Sequence, residues 1–113
     1  MALIKSCLAS GGAAAFLGLE AGEYWNLDAA SKDNITNTVT LSKPTHSSTT
    51  VFNFAKQYTS ATFSTGSGIS GYLISGDTAS AISGLTQSLT DVDYLILVTT
   101  SEMQSASVTI TLS

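Results

Sequence analysis

A continuous apolar segment from Tyr94 to Val98 is the strongest structural signal in the chain. Two aspartates, Asp91 and Asp93, come just before it and threonines follow it. Its short length and its aromatic and β-branched residues are typical of a strand that is apolar on both faces. A helix would need a longer segment, and Val98 would lose side-chain freedom in one. The pattern therefore predicts the central strand of a small β domain.

Regular alternation at the C-terminus predicts a strand beside it. The apolar members of this alternation are expected to face the core, with serine and threonine facing outward: Ala106, Val108, Ile110 and Leu112. Only the segment Glu102 to Ser105 separates the two strands. Because so short a connection is typical of a turn, the strands are predicted to pair as a β-hairpin.

A half-buried strand is also predicted from Glu23 to Ala29. In this prediction Trp25, Leu27 and Ala29 face the core and Tyr24 is exposed. The polar cluster from Ser31 to Asn34 is interpreted as a turn.

Further strand signals continue along the chain at short intervals. Ile35 to Leu41 alternates, and Pro44 ends that strand because proline cannot donate to a ladder. The remaining predictions are two strands within Val51 to Phe63, a glycine-rich hairpin connection at Thr65 to Gly71, a strand at Tyr72 to Ile74, a turn at Gly76 and Asp77, and a strand or irregular crossover at Thr78 to Thr90. The apolar spacing of that last segment is weakly helical, but Gly84 interrupts it, so no segment gives a convincing helix. The sequence thus predicts an all-β protein in which residues 22–113 form a single antiparallel β-sandwich or jelly roll.

Residues 1–21 are predicted to form an extended N-terminal arm. Glycine and alanine let a backbone lie close to another surface, and the arm carries apolar anchors for assembly: Leu3, Ile4, Leu8, Phe16 and Leu17. An alternative is that Ala13 to Leu19 forms the first strand of the sandwich. A signal peptide is disfavoured, because Gly11 and Gly12 interrupt the apolar segment and no A-x-A site follows it.

The composition is unusual in its polar part. Serine and threonine make up 34 of the 113 residues, whereas only 11% of residues are charged, against about 25% in an average globular domain. A surface solvated by hydroxyl groups repels a neighbouring subunit little. This composition favours an outer surface or an assembly interface.

Charge and cysteine content exclude several partners. The net charge is −4, arginine is absent and the four lysines are scattered, so the basic patch that nucleic acid requires is missing. The N-terminal apolar segment is too short and too rich in glycine to span a bilayer. Cys7 is the single cysteine and His46 the single histidine, which leaves no metal-site spacing. No cofactor, metal, nucleic acid or membrane is therefore expected.

Two candidates for chemistry remain weak. If Asp91 and Asp93 lie on one strand, their carboxylates share a face, but no third oxygen ligand accompanies them. His46 has hydroxyl neighbours, yet the chain contains no G-x-S-x-G elbow. We therefore expect no catalytic residues and interpret the protein as a non-enzyme.

Three tyrosines offer an alternative of a different class. Tyr24, Tyr58 and Tyr72 would contact a glycan if they formed an exposed aromatic patch. A carbohydrate-binding or adhesion module is therefore kept as an alternative, and so is a subunit of a secreted filament. The extracellular space would then be the location.

Segments at both ends of the chain resemble those of a known class of proteins. The opening M-A-L-I-K-S-C, the G-E-Y-x-x-L strand at Gly22 to Leu27 and the closing D-Y-L-I-L-V…A-S-V-T-I-T-L resemble small structural proteins of tailed bacteriophages, of the head-decoration or fibre type. The resemblance implies a homo-oligomeric virion component. Its partners would be other copies of itself, as a trimer, and other virion proteins such as the major capsid protein. It implies no functional residues.

Overall fold

The computed structural model of the protein describes residues 18–27 and 31–113. These residues contain ten strands: β1 (Glu23–Asn26), β2 (Ser31–Asn34), β3 (Thr38–Ser42), β4 (Ser48–Asn53), β5 (Ser60–Phe63), β6 (Ile69–Ser75), β7 (Thr78–Ala81), β8 (Thr86–Ser88), β9 (Tyr94–Thr99) and β10 (Ser107–Leu112). The described residues include no helix, and hence none long and apolar enough to cross a membrane. The predicted all-β class is confirmed.

The strands form two antiparallel sheets. The larger sheet has the order β2-β1-β4-β9-β6-β7 and the smaller one the order β3-β10-β5-β8. Eight of the strands pair in nested fashion, β6 with β7, β5 with β8, β4 with β9 and β3 with β10. This is the strand order of a jelly roll, to which the β1–β2 hairpin adds two strands beside β4. The predicted sandwich or jelly roll is therefore confirmed.

The core lies between the sheets and is built from alternate residues of their strands. Its fully buried side chains include Phe52 and Phe54 at the β4 end, Leu95 and Leu97 in β9, and Ile110 in β10. Strand β9 lies between β4 and β6. Its intervening residue Ile96 is also buried, on the opposite face of the sheet. The prediction of a strand apolar on both faces is confirmed.

The predicted hairpin between the last two strands is wrong. Strand β9 pairs with β4 and β6, whereas β10 pairs with β3 and β5 in the other sheet. The connecting loop carries Met103, which is buried in the core at 1% exposure, so the chain crosses between the sheets instead of turning back. Val108 and Leu112 face the core as predicted, but Ala106 is exposed and precedes the strand.

The orientation predicted for the first strand is also wrong. Tyr24 points to the core side, where its ring stacks on Phe52 at a centroid distance of 5.3 Å. Trp25 lies on the opposite face, and Leu27 is exposed and lies beyond the strand end. Ala29 lies outside the described residues. The predicted turn from Ser31 to Asn34 is instead the polar edge strand β2, a composition that discourages edge pairing.

Some of the remaining strand and turn predictions are confirmed and others are wrong. Ile35, Val39 and Leu41 are buried as expected, although β3 itself begins only at Thr38. Gly76 adopts the left-handed conformation in the predicted turn between β6 and β7. The glycine-rich segment before β6 is not a hairpin connection, because β5 and β6 belong to different sheets. Both β7 and β8 fall within Thr78 to Thr90.

Candidate functional site

The larger sheet carries a second apolar cluster on the side that faces away from the core. We call it the outer apolar face, defined by Leu19, Trp25, Val51, Tyr72, Ile74, Ala79, Tyr94 and Ile96. An antiparallel sheet of a sandwich commonly has one core face and one solvated face. Here Val51, Ile74 and Ile96 are buried to 6% exposure or less. Both faces of this sheet are therefore apolar.

The outer apolar face is organised as a row across the strands. Trp25 lies opposite Val51, Val51 opposite Ile96, and Ile96 opposite Tyr72. Directly opposed apolar and aromatic side chains contribute roughly 0.2–1 kcal/mol per pair relative to alanine. The row joins β1, β4, β9 and β6, so it stabilises the centre of the sheet from outside.

Leu19 is fixed to this face by its backbone as well as its side chain. The Leu19 side chain is buried in the cluster, and the Asn53 side-chain amide donates a hydrogen bond to the Leu19 carbonyl at 3.2 Å. The Gly22 N–H donates to the Asn53 carbonyl at 2.9 Å. The Lys32 ammonium group donates to the Gly18 carbonyl at 3.0 Å. Residues 18–22 thus join the N-terminal segment to the sandwich at the outer apolar face.

The predicted assembly anchors precede this point. Leu3, Ile4, Leu8, Phe16 and Leu17 lie outside the described residues, as does Cys7. Their role in assembly stays a prediction.

The three tyrosines predicted as glycan contacts do not form one patch. Tyr24 and Tyr58 are half-buried against the core, and the Tyr58 ring meets Phe54 edge-on at 5.5 Å. Tyr72 packs in the outer apolar face on the other side of the larger sheet. Each ring therefore has a packing role, and Tyr24 also lines a cavity.

That cavity lies between the edges of the two sheets and has a volume of about 370 Å³. We call it the edge cleft. Tyr24, Asn26 and Asp33 line it from β1 and β2, and residues 40–44, which include the apolar Leu41 and Pro44, line it from β3 and the following loop. Ser48 and Thr99 also contribute to the lining. The cleft is a consequence of unequal sheets, since β1 and β2 extend the larger sheet beside β4.

Electrostatics in the edge cleft centre on Tyr24 and Asp33. These residues are directly opposite each other on β1 and β2. Burial raises the pKa of the Tyr24 phenol, and the negative charge of Asp33 raises that pKa further. The cleft therefore presents a neutral phenol beside a carboxylate.

The other candidates for chemistry do not converge. Asp91 is exposed and has a positive φ of 61°, so it lies in a turn before β9 and does not share a strand face with Asp93. The Asp93 carboxylate accepts a hydrogen bond from the Gly76 N–H at 2.9 Å and lies 3.9 Å from the Lys56 ammonium group. His46 is exposed and contacts the Thr45 hydroxyl at 3.1 Å. Within the described ranges, no group of three metal-ligating side chains occurs.

Sequence patterns did not identify most of the edge cleft. Asn26, Asp33 and Thr40 are polar residues that are separated in the sequence. The pairing of β1 with β2 and the position of β3 bring them together. Comparison with known proteins adds no identification: no protein-family model, no curated protein and no solved structure matches the chain. A jelly roll alone does not specify a function.

Proposed function

We propose that the protein is a non-enzymatic structural protein of a virion, of the head-decoration or fibre type, which self-associates and docks through its N-terminal segment. The observation that carries this proposal is the outer apolar face, with Leu19 fixed on it where the N-terminal segment joins the domain. Removal of apolar surface from water is the main driving force of protein association. Because Val51, Ile74 and Ile96 are already buried, the five apolar anchors of the segment would supply that surface. A segment with five apolar anchors that starts at an apolar face is suited to such an interface.

The length of the N-terminal segment permits contact with a neighbouring copy. Seventeen residues precede Gly18, and a fully extended chain of that length reaches about 60 Å. The longest dimension of the Cα trace is 35 Å. A segment leaving at Leu19 is therefore long enough to pass beyond its own domain.

The surface composition supports the same proposal. Charged residues make up only 11% of the chain, and hydroxyl side chains occupy the outward positions of β3 and β10. Repeated subunits can approach closely without strong repulsion between like charges. Jelly rolls occur in viral capsid domains and also in lectin domains, so the fold is compatible with this function and does not decide it.

The test compares the full chain with a variant that lacks residues 1–17. We expect native mass spectrometry to show a trimer for the full chain and a monomer for the truncated variant. Near-ultraviolet circular dichroism should show the same packing of Trp25 and the tyrosines in both. A monomeric full chain, or a truncated variant that keeps the oligomeric mass, would contradict self-association through this segment.

A full-length pair of variants separates apolar contact from chain length. Leu8→Ser with Phe16→Ser removes two anchors and should reduce association. Ser6→Ala with Ser10→Ala is the matched control in the same segment and should leave the oligomer intact. Equal association of the two variants would show that the anchors are not the contact.

A separate measurement tests whether the protein is part of a virion. Particles produced with the truncated variant should lack this protein when their composition is determined by mass spectrometry, whereas particles produced with the full chain should contain it. Particles that lack the full-length protein would contradict the virion assignment even if the protein self-associates.

A further inference from the structure

Strand β7 is an edge of the larger sheet and carries no charged side chain. Its sequence is Thr-Ala-Ser-Ala, and among the described residues it pairs only with β6. An edge strand presents unpaired N–H and C=O groups that invite another strand, and natural proteins commonly block such an edge with charges. The opposite edge strand, β2, has these charges in Lys32 and Asp33. Strand β7 therefore lacks the charged protection that β2 has.

The pairing of β7 with β6 shows which of its backbone groups point outward. Ala81 lies opposite Tyr72, and Ile82 continues the same register. The Ile82 N–H donates to the Gly71 carbonyl at 3.0 Å, so these two residues form a hydrogen-bonded pair. Hydrogen-bonded pairs alternate with non-hydrogen-bonded pairs along antiparallel strands. The N–H and C=O groups of Ala79 and Ala81 therefore point away from β6, to the outer side of the edge.

An apolar pocket of about 240 Å³ lies next to this edge. We call it the side pocket, and its lining consists of apolar side chains and glycine: Phe63, Gly66, Ile69, Ile82, Gly84 and Leu85. Ile82 follows β7 directly, and Leu85 is 48% exposed. The volume is below that of usual small-molecule sites, roughly 300–1,000 Å³. The side pocket therefore suits an apolar side chain better than a drug-sized ligand.

The edge and the side pocket together have the two parts of a strand-addition site. In this mode of recognition an extended peptide adds to a sheet edge through backbone hydrogen bonds, and pockets hold its alternate side chains. Ser80 lies opposite Leu73, a residue that packs against the core, so Ser80 and Ile82 project to the core side of the sheet. An added strand would present every second side chain to that same side, next to the side pocket.

We propose that β7 and the side pocket receive the N-terminal segment of a neighbouring copy, with one of its apolar anchors in the pocket. This inference rests on the proposed self-association and names the surface that receives the segment. Residues 1–17 contain one charged residue, Lys5. A segment of this composition matches an edge without charges beside an apolar pocket.

The length of the segment allows a contact between copies. Ten residues separate Leu8 from Gly18, so an extended chain between them spans roughly 35 Å. The longest dimension of the Cα trace is also 35 Å. Leu8 can therefore reach a neighbouring copy.

The start of the segment lies away from the side pocket of its own copy. Leu19 packs with Ile74 on the outer apolar face, whereas Ile69 lines the pocket at the other end of β6. A contact from the segment of one copy to the edge of the next is head-to-tail. Head-to-tail contacts generate closed rings when the rotation between copies allows it, which agrees with a trimer.

Native mass spectrometry of full-length variants tests the side pocket. Leu85→Asp places a charge where an apolar anchor should bind, and it should weaken association about tenfold or more because burial of an unpaired charge is costly. Leu27→Asp is the matched control, since Leu27 is likewise a large apolar residue with 44% exposure, and it should keep the trimer. Equal association of the two variants would overturn the pocket as acceptor. A monomeric wild type would instead contradict self-association itself, and this docking with it.

A proline in β7 tests the backbone contact. Ala81→Pro removes an N–H that points away from β6, and proline is tolerated at such edge positions. We expect this variant to lose the trimer and Ala81→Val, which keeps the N–H, to retain it. Near-ultraviolet circular dichroism should show the same packing in both variants. If both associate as the wild type does, β7 is not the acceptor although self-association stands.

A mixture of two defective variants tests whether the contact joins different copies. Leu85→Asp retains the N-terminal segment, and the double variant Leu8→Ser with Phe16→Ser retains the side pocket. Neither should associate alone, whereas together they should form a heterodimer through the one intact pair of surfaces. Absence of the heterodimer would contradict docking between copies. If the double variant keeps its trimer and Ala81→Pro loses it, β7 pairs with a surface other than the segment and the proposal fails.

Discussion

The backbone of Met103 lies directly against the α-carbon of Gly68, so close that a β-carbon on residue 68 would overlap it. Gly68 also has a positive φ of 68°. Its carbonyl accepts hydrogen bonds from the N–H and the hydroxyl of Thr100, both at 3.0 Å. The loop before β6 and the loop after β9 are thus locked together where the chain crosses between the sheets.

Gly68→Ala should be markedly destabilising. The substitution forces alanine into a left-handed conformation, at a cost of about 1–2 kcal/mol, and adds an overlap with the Met103 backbone that costs about 1–3 kcal/mol more. Gly84→Ala is the matched control, because Gly84 has a φ of 70° and a β-carbon added there would meet nothing within 4 Å. Urea denaturation should show a larger loss for Gly68→Ala, and equal losses would contradict the close contact.

Met103→Ala should lower the free energy of unfolding by about 2–5 kcal/mol, because it opens a cavity between the sheets. Met103 is 1% exposed. Leu85, which is 48% exposed, provides the control, and Leu85→Ala should change stability by about 0.5 kcal/mol or less. Chemical denaturation measures both. A small effect at Met103 would mean that the loop is not anchored in the core.

The outer apolar face can be tested by exchanging a methyl group for a hydroxyl group of similar shape. Val51→Thr places a hydroxyl at a site that is 4% exposed and should cost about 1–3 kcal/mol. Val98→Thr is the control, since Val98 is only half-buried and lies opposite Thr49 and Ser70. If both variants unfold at the same urea concentration, water has equal access to the two positions.

Tyr24 should make the protein sensitive to alkali. Its pKa is raised above 10.0 in the folded state by burial and by Asp33. The neutral phenol therefore stabilises the fold fully below pH 10.0, and this contribution is lost as the pH rises from 10.0 through the folded pKa, because the unfolded chain releases its proton first. Denaturation of the wild type over this range should show a steeper loss of stability than that of Tyr24→Phe.

The Asp33→Asn variant tests the cause of that shift. Without the carboxylate, the pKa of Tyr24 should fall toward 10.0 while burial keeps it raised, as measured by the ultraviolet absorbance of the phenolate. An unchanged pKa in Asp33→Asn would remove Asp33 as a cause.

Local patterns predicted most of the strands, though not β2, and they did not predict the strand partners. The alternation of β10 and the apolar segment of β9 each follow from side-chain periodicity. Their assignment to different sheets does not follow from this periodicity. The loop between them carries one large apolar residue, Met103, which is buried in the core. A four-residue turn and an inter-sheet crossing have the same length in the sequence.

The orientation of β1 could not be predicted from the sequence for a related reason. Alternation distinguishes two faces only when one face is solvated. Because the larger sheet is apolar on both sides, Tyr24 and Trp25 both have apolar neighbours, and their order does not identify the core side. The edge cleft was missed because it is formed by the relative extent of the two sheets.

The nested strand pairing has a consequence for how the chain folds. Strands β6 and β7 are joined by a two-residue turn, whereas Thr40 of β3 and Thr109 of β10, which meet in the smaller sheet, are 69 residues apart. Closing a long loop costs more entropy than closing a short one, and folds dominated by distant pairings fold slowly, in milliseconds to seconds. We expect the β6–β7 turn to form early and the β3–β10 pairing late. Until that late step, the apolar side chains of Val39 and Ile110 stay exposed to solvent and to other chains. Because exposed apolar strands aggregate, the refolding yield should fall as the protein concentration rises.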